Sequence, residues 1–182
     1  MLRFLLILPL LLLALLICPT VNAQRDHLTP QEVDLVKEAQ ALDKRTDVFI
    51  RAAERRLMVI NNSSAANAKV LKKESERWGE LPTGSRAELI GDIARIFDEA
   101  ITNIDDVSAR DERNPLIAKS LRKLATSVNT IMGQLKPLAV DAKSDAEIAN
   151  FEMLNEDAQS ILEAANKLPP EVVVDKKAKK NN

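Results

Sequence analysis

SRAELIGDIARIFDEAITNIDDV, residues 85–107, decides the fold class. Ser85 and Glu88 stand in capping-box spacing: the serine hydroxyl accepts from the backbone N–H three residues on, and the glutamate reaches back to the serine N–H. Behind this start run Ile90, Ile93, Phe97, Ala100, Ile104 and Val107, in steps of three or four residues. Such steps return to one side of a 3.6-residue helix, so the stretch predicts an amphipathic helix with one buried stripe. Leu81-Pro82-Thr83-Gly84 immediately before it breaks the chain.

The same pattern recurs on both sides. Asn114-Pro115 opens a following helix with an N-cap and a first-turn proline, and its stripe is Ile117, Leu121, Leu124, Val128, Ile131 and Leu135, until Pro137 ends or kinks it. Ser144-Asp145-Ala146-Glu147 opens the next, with Ile148, Phe151, Leu154, Ala158, Ile161, Ala165 and Leu168 as its apolar line and Pro169-Pro170 as its stop. Toward the N-terminus, Thr29-Pro30-Gln31-Glu32 is another capping box, and Leu35, Ala39, Leu42, Thr46, Phe49, Ala53, Leu57 and Ile60 predict one continuous helix to Ile60, about 45 Å long. Asn61 to Ser64 reads as a polar turn, and Ala65 to Gly79 as a short helix with Val70, Leu71 and Trp78 to bury. No stretch has convincing strand character. The expected fold is all-α, an antiparallel up-and-down helical bundle of four long helices plus one short helix, over residues 24–170.

The ends of the chain read differently. Met1-Leu2-Arg3, the apolar run Phe4 to Ile17 and the small residues of Val21-Asn22-Ala23 make the three parts of a signal peptide in residues 1–23, with the cut expected after Ala23. An uncleaved membrane anchor is the alternative, because Phe4 to Val21 approaches the roughly 20 apolar residues that span a bilayer. Lipidation of Cys18 is disfavoured by Ile17, where a small residue is required. Residues 171–182 end in Lys176-Lys177-Ala178-Lys179-Lys180 and read as a disordered basic tail that solubilises the chain or touches anionic lipid or cell-wall polymer. The expected location is secreted or periplasmic.

Removing the leader takes Arg3 and the only cysteine, leaving 25 basic against 27 acidic residues. That balance, with four aromatic residues left, gives no electrostatic or stacking basis for binding nucleic acid. A mature part without cysteine must be stabilised by its core, which its length permits.

Catalytic and metal chemistry is poorly served. His27 is the only histidine and precedes the first cap, and di-iron bundles need Glu-x-x-His pairs on facing helices. Met58, Met132 and Met153 sit on or beside apolar stripes, where gap filling is the usual role, so no haem, metal or other cofactor is expected. The acidic residues Asp98, Glu99, Asp105, Asp106, Asp111 and Glu112 lack the ligand alternation and central glycine of a calcium loop and are interspersed with Arg110 and Arg113, so they read as a solvated face. Ser120-Leu121-Arg122-Lys123 matches Ser-x-x-Lys formally but lies within a helical pattern without the motifs that accompany it in enzymes. Asn61-Asn62-Ser63-Ser64 holds two overlapping glycosylation acceptor patterns, relevant only in a cell that performs that modification.

Gly133, inside a helix where glycine costs about 1 kcal/mol against alanine, and the small ridge Ala87, Gly91 and Ala94 point to close helix approach. Alternatively they make room for an apolar ligand near Gly91, Gly133 and Trp78. The sequence thus favours a non-enzymatic exported bundle acting in the cell envelope or outside the cell by binding a protein partner or associating with itself. A carrier or sensor of a small apolar ligand held between helices is the alternative, and a carboxylate hydrolase the third reading.

Overall fold

The computed structural model describes residues 25–64 and 66–170. The expected leader, its cleavage site and the basic tail lie outside the described residues. Among these residues there are six helices and no strand: α1 Pro30–Glu38, α2 Leu42–Ile60, α3 Ala68–Trp78, α4 Arg86–Arg110, α5 Pro115–Val140 and α6 Asp145–Asn166. None is long and apolar enough to cross a membrane. The all-α bundle expected from the periodicity is therefore present, with four long helices and two short ones.

The starts follow the capping chemistry. Thr29 and Ser85 accept from the N–H groups of Glu32 and Glu88, whose carboxylates accept in return from the two cap N–H groups. Asn114 and Ser144 accept from the N–H groups of Leu116 and Glu147. Each such cap satisfies a backbone donor that the helix itself cannot use. Pro137 does not end α5, which continues to Val140.

The long helix expected from Pro30 to Ile60 is instead broken at Ala39-Gln40-Ala41. No glycine or proline causes this. The Arg45 guanidinium takes the Ala39 carbonyl at 3.0 Å, the acceptor a continuous helix would offer to Asp43 N–H. The break lets α1 fold back along α2, so that Glu32 meets Arg55 and Arg56. In one straight helix Glu32 and Arg55 would stand roughly 35 Å apart.

α2, α4, α6 and α5 form the four sides of the bundle in that cyclic order: α4 packs on α2 and α6, and α5 packs on the same two. Pairings along the seams give the directions. Arg45 reaches Asn103 and Arg56 lies by Asp92, so α2 and α4 are antiparallel. Asp43 pairs with Lys119 and Asp47 with Lys123, so α2 and α5 are parallel. Asn150 donates to the Ala87 carbonyl and Glu147 pairs with Arg86, so α4 and α6 are also parallel. The helices thus alternate up and down along the chain, yet the consecutive α4 and α5 occupy opposite corners.

The core is the convergence of the predicted stripes. Phe49, Ile93, Phe97, Leu124, Val128, Leu154 and Ile161 are all buried. Gly91 serves the α4/α6 contact as a small residue should, since a Cβ there would lie 2.9 Å from the Asn150 amide nitrogen. Ile148 departs from its predicted stripe and is 44% exposed, one turn from the start of α6. α1 and α3 pack on each other, and α1 packs on α2. They cover the α2/α4 side of the bundle together with Arg25 and His27, which reach Asp92 and Glu99 of α4. Among the described residues no further helix packs on α5 and α6.

Candidate functional site

That uncovered side holds an apolar groove of about 540 Å³ between α5 and α6. Met132, Gly133, Lys136, Ala139 and Val140 line it from α5, and Phe151 and Asn155 from α6. Its floor is the core itself: Leu135 and Phe151 are buried, and Phe151 presents one part of its surface inward and the rest to the groove. Its rim is unusual, because Val140 is 84% exposed, far more than any other large apolar side chain among the described residues. Leaving a valine there forgoes roughly 1.5–3 kcal/mol of burial.

Gly133 overturns one expectation. Outside its own helix, a Cβ built at this residue would meet no atom within 4 Å, so no neighbouring helix approaches it closely. The glycine opens the groove instead. Of the three residues grouped above as an apolar ligand site, only Gly133 lines this groove. Gly91 is closed off by Asn150. Trp78 stacks beneath the Arg55 guanidinium, 5.6 Å from its ring centre, at the end of α3.

The other side of the bundle carries a charge network that periodicity did not reveal. Glu32 is fully buried and accepts from Arg55 Nε at 3.2 Å and from Arg56 Nη1 and Nη2 at 2.8 and 2.7 Å. Arg55 also donates to the carbonyls of Trp78, Gly79 and Glu80, and Arg56 to that of His27. Asp92, likewise buried, accepts from Arg25 at 2.9 Å and Arg95 at 3.0 Å. Burial pulls the Arg55 guanidinium below its usual range, against the opposing pull of Glu32. Every carboxylate oxygen and most donors of this network are engaged, so it fastens α1, the N-terminal arm and the α3–α4 connection to the bundle and leaves no reactive group open to solvent. The only sequence signal for it was the Glu32 capping box, since Arg55 and Arg56 fall beside the apolar stripe.

The remaining chemical candidates are dispersed. His27 Nε2 lies 2.7 Å from Glu99 Oε2 at the surface of α4. Asp105, Asp106, Asp111 and Glu112 are exposed around the end of α4, where Arg110 bonds the Asp106 carbonyl. No group of three His, Cys, Asp or Glu side chains is placed to share a metal ion among the described residues. Ser120 is buried with its hydroxyl unpaired, and the Lys123 ammonium that the Ser-x-x-Lys pattern requires is held by Asp47 at 2.6 Å. Asp157 of α6 stands apart: one carboxylate oxygen is buried without a partner, and burial, then Asp98 and Glu156, push its pKa up to about 6. Asn61 and Asn62 are exposed in the turn after α2, with Asn61 bonded to Gln134.

Compared with known proteins, the chain has no match to a family model, to a curated protein or to a solved structure.

Proposed function

We propose that this chain is an exported, non-enzymatic binding module that engages another protein through the open α5/α6 face. The observation that carries the reading is the apolar groove between Gly133, Val140 and Phe151: among the described residues α1 and α3 cover the α2/α4 side of the bundle, and no helix covers this one. Two antiparallel helices with a gap between them are the natural receptor for the apolar face of a third helix, read through contacts three, four and seven residues apart. Met132, Lys136, Ala139 and Val140 provide that spacing. The non-enzymatic part rests on residue chemistry: the histidine is tied to Glu99, the lysine of Ser-x-x-Lys to Asp47, and the fully buried Glu32 and Asp92 to arginines. Export rests on the three-part leader.

A photocrosslinking residue at Val140, compared with one at the exposed Glu112, tests this in the native envelope. The expected result is a defined adduct from position 140 alone, lost on Phe151→Ala. Equal labelling from both positions, or none from either, removes the proposal. The volume and apolar lining of the groove also favour the second reading, a small apolar ligand, since sites for such molecules span roughly 300–1,000 Å³. Native mass spectrometry of the freshly isolated chain decides it: a co-purifying mass that Gly133→Leu abolishes supports a carrier, and a bare chain excludes one.

A further inference from the structure

The charges of the bundle are segregated. α5 carries Lys119, Arg122, Lys123 and Lys136 and no acid, whereas the neighbouring α6 carries Asp145, Glu147, Glu152, Glu156, Asp157 and Glu163 and no base. α4, which packs on α6, also holds more acids than bases. On the basic side lies α3, which alone among the described helices buries no residue, and its Lys69, Lys72, Lys73 and Arg77 are all exposed. Among the described residues the one α3 side chain in an ion pair is Glu74, which Arg51 holds at 2.6 Å. Val70, 47% exposed, stands beside Lys69, Lys73 and Arg77 on one surface that ends at Trp78. Cations set around an exposed valine and the edge of a tryptophan are the composition of a helix that lies on a lipid headgroup layer.

We propose that α3, with the basic side it belongs to, docks this chain on an anionic lipid surface. Asp47 borders both the cleft that holds Arg77 and Trp78 and the one that holds Lys119, Arg122 and Lys123, so the α3 and α5 cations share one side of the bundle across α2. Lys119 and Lys123 are balanced there by Asp43 and Asp47. Lys44, Arg122 and the four α3 cations then outnumber the acids of this side that no base holds, Glu38 and Glu76. Arg122 also donates to the Pro169 carbonyl, so the chain leaves the described fold on this same side, and Lys176, Lys177, Lys179 and Lys180 follow from that point. An anionic plane attracts the basic side and repels the acidic α4/α6 side, so the separation of charge across the bundle also sets how it lies. The α5/α6 groove is on the adjoining side and stays open in this orientation.

Trp78 is the only tryptophan and reports the contact directly. The full chain is mixed with vesicles of phosphatidylcholine alone, or of phosphatidylcholine and phosphatidylglycerol in equal parts, with and without brominated acyl chains. The expected result is a blue shift of Trp78 emission and its quenching by the brominated chains on the anionic vesicles only, both fading as salt is raised. Lys69→Glu combined with Lys73→Glu is expected to weaken binding roughly tenfold or more, since each cation near such a surface strengthens it about fivefold. Because α3 buries no residue, the double variant should keep the urea midpoint of the parent, which separates loss of contact from loss of fold. A retained leader inserts into both kinds of vesicle alike, so the difference between them belongs to the charged surface. An equal Trp78 response to the two vesicles overturns the proposal, as does anionic binding that the double variant keeps and that Lys176→Gln with Lys177→Gln abolishes. Trp78 emission that moves with soluble polyphosphate and not with vesicles overturns it too, and assigns the surface to an anionic polymer.

Discussion

Glu32 of α1 and Arg56 of α2 meet as two parallel hydrogen bonds, 2.8 and 2.7 Å long, with both side chains buried. A bidentate carboxylate–guanidinium pair is the strongest form such a contact takes. Removing one member leaves the other charged and without water, so Glu32→Ala is expected to cost about 3–5 kcal/mol in urea unfolding. Because α1 buries only Glu32 and Leu35, the same change should raise hydrogen exchange over residues 30–38 more than in α4. A loss under 1 kcal/mol would show that the network contributes little to stability.

Asp157 sets a pH dependence in the opposite direction from most carboxylates. Its pKa in the folded chain, about 6, lies above its usual value of 3.8, so the folded state holds the proton more tightly. The penalty of ionising it is absent below pH 4, grows between pH 4 and 6, and is complete above that window. Asp157→Asn is therefore expected to stabilise the chain at pH 7 by about 1–2 kcal/mol, after allowing for its partial exposure, and to do nothing at pH 3.5. Thermal unfolding at the two pH values checks this; an equal shift at both would exclude Asp157 titration as its cause.

Two helical glycines should respond oppositely to alanine. Gly133→Ala removes backbone freedom from the unfolded chain and meets no atom outside its own helix, so a gain of about 0.5–1 kcal/mol is expected. Gly91→Ala brings a methyl to 2.9 Å from the Asn150 amide, which also donates to Ala87. That group must shift and its hydrogen bond loosen, so the propensity gain is cancelled or reversed. Equilibrium unfolding of the two variants side by side gives the comparison.

Arg86 holds the Glu147 carboxyl below its usual range, chiefly by a direct hydrogen bond. A lowered carboxylate pKa contributes stability above the ordinary value and loses it as pH falls through the folded one. Arg86→Met is accordingly expected to flatten the acid limb of the stability profile below about pH 4.5. An unchanged acid limb would show that the pair does not couple α4 to α6.

The helices were legible where local chemistry governs them. Capping residues and stripes such as Ile90, Ile93 and Phe97 specify both where a helix starts and which side it buries, and neither depends on distant parts of the chain. The interruption at Ala39-Gln40-Ala41 was not legible, because those residues favour helix; it is imposed by Arg45 on the Ala39 carbonyl and by Glu32 reaching residues 23 and 24 positions away. The candidate site was half legible. Glycine at 133 announced a cost, but whether it made room for a neighbouring helix or for empty space is a matter of tertiary placement. Phe151 read as core and is core, and its role as the floor of a groove follows only from α5 and α6 lacking a cover among the described residues.

The placement of α4 and α5 at opposite corners bears on how fast the bundle assembles. Two of its four side-by-side seams, α2 with α5 and α4 with α6, join helices that are not consecutive long helices of the chain. The α5/α6 hairpin and the α2/α4 pair are then joined to each other chiefly through those two non-consecutive seams. The search must bring together segments such as Asp43 and Lys119, 76 residues apart, before much core is gained. Folding rates fall as contacts become less local, so this chain is expected to fold more slowly than a bundle of equal size whose consecutive helices lie side by side.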